Sequence, residues 1–392
     1  MNDMKKSSAK VLGELLKNEM KENENFYLFS PDETTSNRLD AVYDVESRAW
    51  SNLDILPQDM KEKDGGRIVE LLSENTLFAV MLGHILAGEP AMMTSYESFF
   101  TIITSQILQH LKFLDQSENV SFRTDVPSVN LLSTSTCWRQ DHNGFSHQSP
   151  MLISTLLERP GKRVNCFFPV DSESMQKTFE YMKDSKNVVN LTTFNKTEEP
   201  QYIDENHAEY QFENGASIFG FASDGDTFYL ESDENKFDFI FTAAGDIATR
   251  ESLEAMKIIR EDFPELKLRF VNILSLTHGK IGTTNHEMSS EIFEKFFLKN
   301  VPIISNFHGY KDTLKNILRN YTNAEIFAHG FEEHGSTTTP LEMLTRNHAS
   351  RFDLAIDVAR KMNRNDLVEK YQKSIDENFA NAREFGVDLF EV

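Results

Sequence analysis

Short apolar runs alternate along the chain with longer stretches in which apolar residues recur every three or four positions. Runs of the first kind are typical of buried strands and stretches of the second kind of amphipathic helices, so the alternation predicts an α/β fold with mainly parallel sheets. The predicted strands are residues 26–29, 67–72, 129–137, 162–169, 187–194, 238–244, 267–274 and 301–307. The predicted helices are residues 9–20, 77–86, 152–157, 172–182, 250–263, 350–362 and 365–384.

The length of 392 residues indicates two domains. A polar, acidic stretch at residues 197–211 contains Pro200 and predicts a linker. We therefore expect one doubly wound domain at residues 1–203 and a second α/β domain at residues 204–392.

Composition and charge narrow the class of partner. Hydrophobic residues make up 39% of the chain and aromatic residues 11%, which is enough for two cores. The net charge of −22 argues against nucleic acid or an anionic membrane as a partner. It does not exclude a phosphorylated small molecule as a ligand, because local basic groups can make the electrostatic potential inside a cleft positive. No apolar run has the length of a membrane span or the form of a signal peptide. Cys137 and Cys166 lie in predicted strands, which indicates buried thiols in a reducing compartment, and we expect a cytoplasmic protein.

The run from Trp138 to Gln148 carries the densest group of polar side chains. It leaves a predicted buried strand and enters a predicted helix, the position where α/β proteins place their sites. His142 and His147 are suited to proton transfer, because imidazole titrates near neutral pH. Neither a third histidine nor a carboxylate stands nearby at ligand spacing, so a metal site is not favoured. The alternative is a surface turn with a satisfied histidine.

Other polar side chains lie at the ends of predicted strands. Ser36 and Arg38 follow the first strand and fit an anion site at a helix start, or else ordinary capping and a surface arginine. Glu74 follows the second strand and is either a capping carboxylate or a functional one. Lys196 follows the fifth strand, whereas Arg123 precedes one and is either a surface arginine or an anion ligand.

Several runs of the chain together resemble one family. They are FSPDETTSNRL at residues 29–39, LSE at 72–74, SYESF at 95–99, WRQDHNGFSHQ at 138–148, FHGY at 307–310 and GSTTTP at 335–340. In this order they resemble phosphoketolases, thiamine-diphosphate enzymes that cleave ketose phosphates with inorganic phosphate. The resemblance extends over nearly the whole chain but only over the second half of such an enzyme. It implies a pyrimidine-type thiamine-diphosphate-binding domain followed by a transketolase-C-terminal-like domain.

The resemblance also implies roles for single residues. Glu74 matches the buried carboxylate that hydrogen-bonds the aminopyrimidine of the cofactor. Phe99, which the pattern alone assigns to the core, matches a ring that stacks on the aminopyrimidine, and Tyr96 matches a hydroxyl on the cofactor side. His142, Asn143 and Tyr96 are expected to face the two-carbon intermediate and, with Glu74, to be the catalytic residues. Residues that match binders of substrate or phosphate are Ser36, Arg38, Arg123, His147 and Lys196.

The chain also departs from the family pattern. After Gly88 the family has a Gly-Arg-His-Gly-type turn, and this chain has Glu89-Pro90-Ala91. Asn195 stands where the family has a glycine before the lysine. No Gly-Asp-Gly motif for a metal-bound diphosphate is present, so we expect a partner domain or subunit to supply the diphosphate site and the ligands of Mg²⁺, in a homo- or hetero-oligomer.

The first hypothesis is therefore half of a phosphoketolase that cleaves xylulose 5-phosphate or fructose 6-phosphate to acetyl phosphate and an aldose phosphate. The second is a non-catalytic paralogue that acts as a regulatory or stabilising subunit. The third is a subunit of transketolase or ketoacid-dehydrogenase type with a different acceptor. The run from Gly335 to Pro340 lacks the spacing of a P-loop, and we expect a structural or interface role for it. We also expect structural roles for His308, His329 and His334.

Overall fold

The computed structural model describes residues 2–31, 33–49, 62–63, 65–159, 163–225, 237–281 and 290–392. The contacts divide the chain into two compact units. Unit 1 consists of Met1–Ser135 and Gly161–Ala208, and unit 2 of Thr136–Pro160 and Glu209–Val392.

The strands, in chain order, are β1 (Asn2–Lys6), β2 (Tyr27–Ser30), β3 (Arg48–Ala49), β4 (Glu62–Lys63), β5 (Ile68–Glu70), β6 (Ala91–Tyr96), β7 (Val129–Thr134), β8 (Val164–Phe167), β9 (Val189–Thr193), β10 (Glu199–Gln201), β11 (Ala216–Ile218), β12 (Phe239–Ala244), β13 (Leu268–Ile273), β14 (Ile303–Tyr310) and β15 (Ile326–Phe331). The helices are α1 (Ser8–Glu22), α2 (Glu74–Leu86), α3 (Thr104–Ser117), α4 (Met151–Glu158), α5 (Ser172–Asp184), α6 (Glu205–Asn214), α7 (Asp246–Asp262), α8 (Ser290–Phe297), α9 (Lys311–Arg319), α10 (Pro340–Arg346), α11 (Arg351–Lys361) and α12 (Asn365–Phe385).

Unit 1 is built on an eight-stranded parallel sheet with the order β4-β3-β5-β2-β6-β7-β9-β8. Every residue of β7 is buried, which explains the unbroken run of apolar and small residues in this strand. A separate two-stranded antiparallel sheet joins β1 and β10. Because the strands of the large sheet are parallel, their carboxyl ends meet at one edge.

Unit 2 is built on a five-stranded sheet with the order β11-β13-β12-β14-β15. The edge strand β11 pairs antiparallel with β13, and the other pairs are parallel. All residues of β12 and β13 are buried. Helix α7 packs against β12 and α11, and α11 packs against α12. Both units are therefore α/β with mainly parallel sheets, as the sequence predicts.

The segment from Thr136 to Pro160 follows β7 in the chain but belongs to unit 2 by its contacts. Trp138 is buried in a cluster with Phe331 and Met343, and its ring lies 5.6 Å from that of Phe331, centroid to centroid. Helix α4 packs against β14 and α9. The sequence pattern did not predict that this segment packs in unit 2. The predicted boundary at 203/204 lies just before α6, and the contacts divide the chain after Ala208.

The structure confirms the predicted strands and helices to within a few residues and corrects two details. Residues 197–211 are not a linker, because they contain β10 and the start of α6, and Pro200 of β10 is the partner of Lys5. In α2 the apolar spacing predicts Val80, Met81, His84 and Ile85 on the inner face, but Val80 is 51% exposed, and the buried residues are Leu77, Phe78, Met81 and Ile85. Both cysteines are free and buried, as expected. Among the described residues, the helices lack the length and apolar character needed to cross a bilayer.

Candidate active site

Polar side chains collect at the carboxyl edge of the sheet in unit 1. Ser30 ends β2, Tyr96 ends β6 and Thr134 ends β7. Glu74 is the first residue of α2, which follows β5, and Lys196 comes three residues after β9. These strands are neighbours in the sheet, so their ends meet at the position where open α/β sheets bind ligands.

Glu74 is half-buried at the start of α2 and does not cap the helix. The cap is Ser73, whose hydroxyl accepts the N–H of Thr76 at 3.4 Å. A carboxylate in the first turn is stabilised by the positive end of the helix dipole. Since Ser73 caps the helix, the capping interpretation does not account for Glu74, and its carboxyl is available for another role.

Glu33 is a residue that the sequence analysis missed. Its Oε2 accepts the backbone N–H of Tyr96 at 3.1 Å. Burial, with repulsion from Glu74 adding to it, raises the pKa of Glu33 to about 8, while the Tyr96 N–H, Asn37 and Lys196 act in the opposite direction. The glutamate stands inside the resembling run at residues 29–39, directly after a buried strand, and this position was the signal that could have found it.

Tyr96 links several of the predicted site residues. Its ring is nearly parallel to that of Phe99, at an interplanar angle of 8° and a centroid distance of 6.0 Å. The Lys196 ammonium lies 5.2 Å from the Tyr96 ring centroid, within cation–π range. The Tyr96 hydroxyl lies 3.5 Å from Oγ of Ser36. The structure thus brings Ser36, Tyr96, Phe99 and Lys196 together, and Glu33 binds the backbone N–H of Tyr96.

The loop after β2 is held by the fully buried Asn37. Asn37 Oδ1 accepts hydrogen bonds from the hydroxyls of Thr134 and Ser135, and its amide nitrogen lies 3.5 Å from the hydroxyl of Thr94. The next residue, Arg38, is exposed and has a left-handed backbone with φ 63°. Non-glycine residues in this conformation cost about 1–3 kcal/mol and persist where the surroundings impose them. The buried amide therefore holds the backbone of this loop, which carries the exposed Arg38, at the same edge.

Arg123 is not brought to this edge. It is exposed and precedes β7, at the amino ends of the strands. Its guanidinium lies 5.1 Å from the ring centroid of Phe113, near the end of α3. The structure favours the surface-arginine interpretation over an anion ligand within this unit.

The run from Trp138 to Gln148 forms a loop of two short 3-10 helices in unit 2. His142 and Asn143 are exposed, and His147 is half-buried with Nδ1 2.9 Å from the Ser146 hydroxyl. The Trp138 indole N–H donates to the carbonyl of His308 at 2.8 Å, which anchors the start of the loop. The loop is therefore anchored by the buried Trp138 and exposes His142 and Asn143.

The run from Gly335 to Pro340 supports this loop. The Gln148 amide donates to the carbonyls of Gln140, at 2.8 Å, and Ser336, at 3.1 Å. The N–H of Thr338 donates to the carbonyl of Asp141 at 3.0 Å. A Cβ on Gly335 would stand 2.0 Å from Oε1 of Gln148, so only glycine allows this approach without a shift. These contacts agree with the structural role expected for the run.

Glu74 belongs to unit 1 and His142, Asn143 and His147 to unit 2. Their joint action stays a prediction. Within unit 1 the structure brings together the residues at the carboxyl edge of the sheet. Within unit 2 it brings together those of the loop at residues 138–148.

The fold is that of the transketolases. Transketolase from Pichia stipitis in complex with sedoheptulose 7-phosphate matches with a TM-score of 0.68 and 16% identity, over 95% of this chain and 47% of that chain. Transketolase from Campylobacter jejuni matches with a TM-score of 0.63 and 15% identity, over 91% and 47%. A split-gene transketolase described as an inactive β4 tetramer matches with a TM-score of 0.59 and 14% identity, over 90% of this chain and 97% of that one. At such identities the likeness concerns the fold alone.

The sequence comparisons identify the family. The family model described as D-xylulose 5-phosphate/D-fructose 6-phosphate phosphoketolase matches residues 10–185, and that of its C-terminal domain matches residues 196–392. The "Probable phosphoketolase" of Methylococcus capsulatus is 37% identical over 361 residues, which are 90% of this chain and 43% of that protein. The "Probable phosphoketolase 1" of a Nostoc species is 36% identical over 397 residues, 98% of this chain and 49% of that protein. The chain belongs to the phosphoketolase family, and it spans about half the length of these relatives.

Proposed function

We propose that the chain is the aminopyrimidine-binding half of a thiamine-diphosphate-dependent phosphoketolase. With a partner that binds the diphosphate and Mg²⁺, it would cleave xylulose 5-phosphate or fructose 6-phosphate with inorganic phosphate to acetyl phosphate and an aldose phosphate. The observation that carries the proposal is the edge of unit 1, where Glu74 starts a helix that another residue caps and where Tyr96 joins Phe99, Ser36 and Lys196.

The groups at this edge fit the cofactor. A ring nitrogen of an aminopyrimidine needs one hydrogen-bonding carboxyl, and Glu74 is half-buried at a helix start where its own chain does not use it as a cap. The flat heterocycle needs an aromatic face, and Phe99 is half-buried with its ring parallel to that of Tyr96. When bound, the cofactor supplies a nucleophilic carbon that holds the two-carbon fragment of the ketose.

In this proposal each side chain has a defined task. Glu74 holds a proton at the pyrimidine nitrogen, and the partly protonated Glu33 limits the negative charge next to it. His142 and Asn143 act on the two-carbon fragment, as the resemblance implies. Phosphate groups are bound by the hydroxyl of Ser36, by the cations of Arg38 and Lys196, and by His147. Charge-assisted hydrogen bonds of this kind contribute roughly 1.5–3 kcal/mol each.

The proposed partner would supply the site for the diphosphate and Mg²⁺. The chain spans about half of its phosphoketolase relatives, and a structural neighbour of similar extent is a split-gene transketolase described as an inactive β4 tetramer. We propose that a second polypeptide or domain binds the diphosphate and Mg²⁺ and that the assembly is an oligomer. Cys137 and Cys166 are buried thiols outside any disulfide, which supports a reducing, cytoplasmic setting.

The test is reconstitution. The full chain is mixed with a separately produced diphosphate-binding domain, thiamine diphosphate, Mg²⁺, a ketose phosphate and inorganic phosphate, and acetyl phosphate is measured. We expect product with the native chain and a large loss with Glu74→Gln, while Arg123→Gln, at the opposite edge, retains activity. A folded mixture that binds cofactor but releases no acetyl phosphate would contradict the proposal.

A second candidate is the non-catalytic paralogue. It is favoured by Glu89-Pro90-Ala91, which stands where the family has a basic turn. Under this alternative the chain co-purifies with a complete enzyme and Glu74→Gln leaves the activity of the complex unchanged. Replacing phosphate with an aldose acceptor in the same assay separates a phosphoketolase from an enzyme of transketolase type.

A further inference from the structure

Three side chains with metal-ligating atoms converge in unit 2, apart from the loop of residues 138–148. Glu332 follows directly after β15, His334 comes two residues later, and His348 follows α10. One ligand atom from each of the three lies within 4.8 Å of the others. The two histidine side chains are exposed and the glutamate is half-buried, so an ion from solvent can reach them.

The backbone around these residues is fixed by Asn347, which is fully buried. Its Oδ1 accepts the N–H groups of Glu332, at 2.9 Å, and His334, at 3.2 Å. Its amide donates to the carbonyl of Met343 at 3.0 Å. One buried side chain therefore ties the segment that carries two of the groups to the turn that carries the third.

Two residues of these turns have left-handed backbones, Glu333 with φ 61° and His348 with φ 51°. Such conformations outside glycine are uncommon and cluster at ligand sites, where the surrounding structure imposes them. The strain agrees with a fixed arrangement of the three side chains.

The tautomer of His334 suits a ligand. Its Nδ1 lies 2.9 Å from the carbonyl oxygen of Arg346, which can only accept, so Nδ1 carries the proton and Nε2 carries the lone pair. Metal-bound histidines commonly donate their second ring N–H to a backbone carbonyl in this way. Nδ1 of His348 lies 3.6 Å from Oε1 of Glu332, and the rings of the two histidines are 6.2 Å apart.

One cation already faces the cluster. The ammonium of Lys311 lies 2.7 Å from Oε1 of Glu332. A carboxylate has two oxygens, so Glu332 can bind an ion through one of them while Lys311 keeps the other. The lysine nevertheless lowers the attraction of the site for a second cation, and removing its charge should strengthen binding.

We propose that Glu332, His334 and His348 bind a divalent transition-metal ion, of which Zn²⁺ is the best match. Two imidazoles and one carboxylate form a ligand set that Zn²⁺ accepts, with water in the remaining position. The site is separate from the Mg²⁺ assigned to the partner and does not depend on the proposed reaction. Since Gly335 follows His334 and leads into the run that supports the loop of residues 138–148, a bound ion would also brace that run.

The test uses Zn²⁺ and the full chain, freed of any polyhistidine tag and treated with chelator. Calorimetric titration should give one Zn²⁺ per chain, and Co²⁺ in its place should give the visible absorption of a tetrahedral site. His334→Gln and His348→Asn should each weaken binding by about 100-fold or more, because the loss of an outer-shell partner alone costs about 10–100-fold. Asparagine is chosen at position 348 because it tolerates the left-handed backbone.

Two further variants test whether binding is specific to the cluster and whether Glu332 is a ligand. His84→Gln, on α2 of unit 1, is the matched control and should bind Zn²⁺ like the native chain. Lys311→Gln should bind more tightly, and equal or weaker binding would remove Glu332 from the site and overturn the three-ligand assignment. Thermal denaturation verifies that each variant is folded. Absence of Zn²⁺ binding to the folded native chain, or binding unchanged in both cluster histidine variants, would overturn the proposal.

Discussion

The carboxylate of Glu33 accepts the backbone N–H of Tyr96 at 3.1 Å. This bond joins the loop after β2 to the last residue of β6. It fixes the point from which the Tyr96 ring extends towards Phe99 and Lys196. An acidic side chain that no motif singled out therefore holds the aromatic part of the candidate site in place.

Glu33→Gln should change the pH dependence of stability. Burial raises the pKa of Glu33 to about 8, above its ordinary value of 4.5, so the folded protein holds this proton more tightly than the unfolded chain. The stabilisation is complete below pH 4.5 and is lost as the pH rises to about 8. Glutamine stays neutral, so over this range the variant should gain stability relative to the native chain, by as much as about 5 kcal/mol. Urea denaturation at several pH values measures this difference, and parallel curves for the two proteins would contradict it.

His110→Leu should change how the stability of the protein falls at acidic pH. Burial in α3 lowers the pKa of His110 to about 4 from 6.5, so the folded state keeps the ring neutral. Its contribution is present above pH 6.5 and is lost as the pH falls through about 4. Leucine cannot take up a proton, and the variant should therefore lose less stability on acidification, by about 3 kcal/mol between these limits. The measurement is urea denaturation from pH 7 to pH 4, and an equal loss in both proteins would refute the expectation.

Ser73→Ala and Glu74→Gln should separate capping from function. Ser73 caps α2, and its loss should cost about 1 kcal/mol of unfolding free energy. Glu74 does not cap the helix, so its amide variant should keep nearly native stability. In the reconstituted reaction the order reverses: Ser73→Ala should retain activity and Glu74→Gln should lose it. Denaturation and acetyl phosphate assays on both variants provide the comparison, and a stable, active Glu74→Gln would argue for the paralogue.

Gly335→Ala should destabilise unit 2. The added Cβ would stand 2.0 Å from Oε1 of the buried Gln148. The resulting shift of the Gln148 side chain should break its hydrogen bonds to the carbonyls of Gln140 and Ser336. Overpacking of this kind costs about 1–3 kcal/mol. The matched control is Gly83→Ala in α2, where a Cβ meets nothing within 4 Å and should add about 0.5–1 kcal/mol. Thermal denaturation of the two variants should give shifts of opposite sign.

Much of the fold could be predicted from the sequence, because buried parallel strands such as β7 and amphipathic helices such as α12 leave strong periodic patterns. Strand β6 was missed, since its sequence Ala-Met-Met-Thr-Ser-Tyr lacks the β-branched run that marks a strand. The short β10 was mistaken for part of a linker because Pro200 and acidic residues dominate its composition.

The candidate site was predictable where a side chain lies at a strand end and a motif resembles a family, as for Glu74, Tyr96 and Lys196. Glu33 lies in the resembling run after β2, but the sequence does not show that its carboxylate binds the backbone of a residue 63 positions away. For Arg123 the sequence left both interpretations open, because spacing along the chain does not tell which edge of the sheet a preceding loop reaches.

The passage of residues 136–160 into unit 2 affects how related genes can be recombined. A chimaera that joined residues 1–203 of one family member to residues 204–392 of another would take Trp138 from the first parent and Phe331 and Met343 from the second. Chimaeras joined at residues 203/204 should therefore fold poorly unless both parent proteins have the same residues in this cluster.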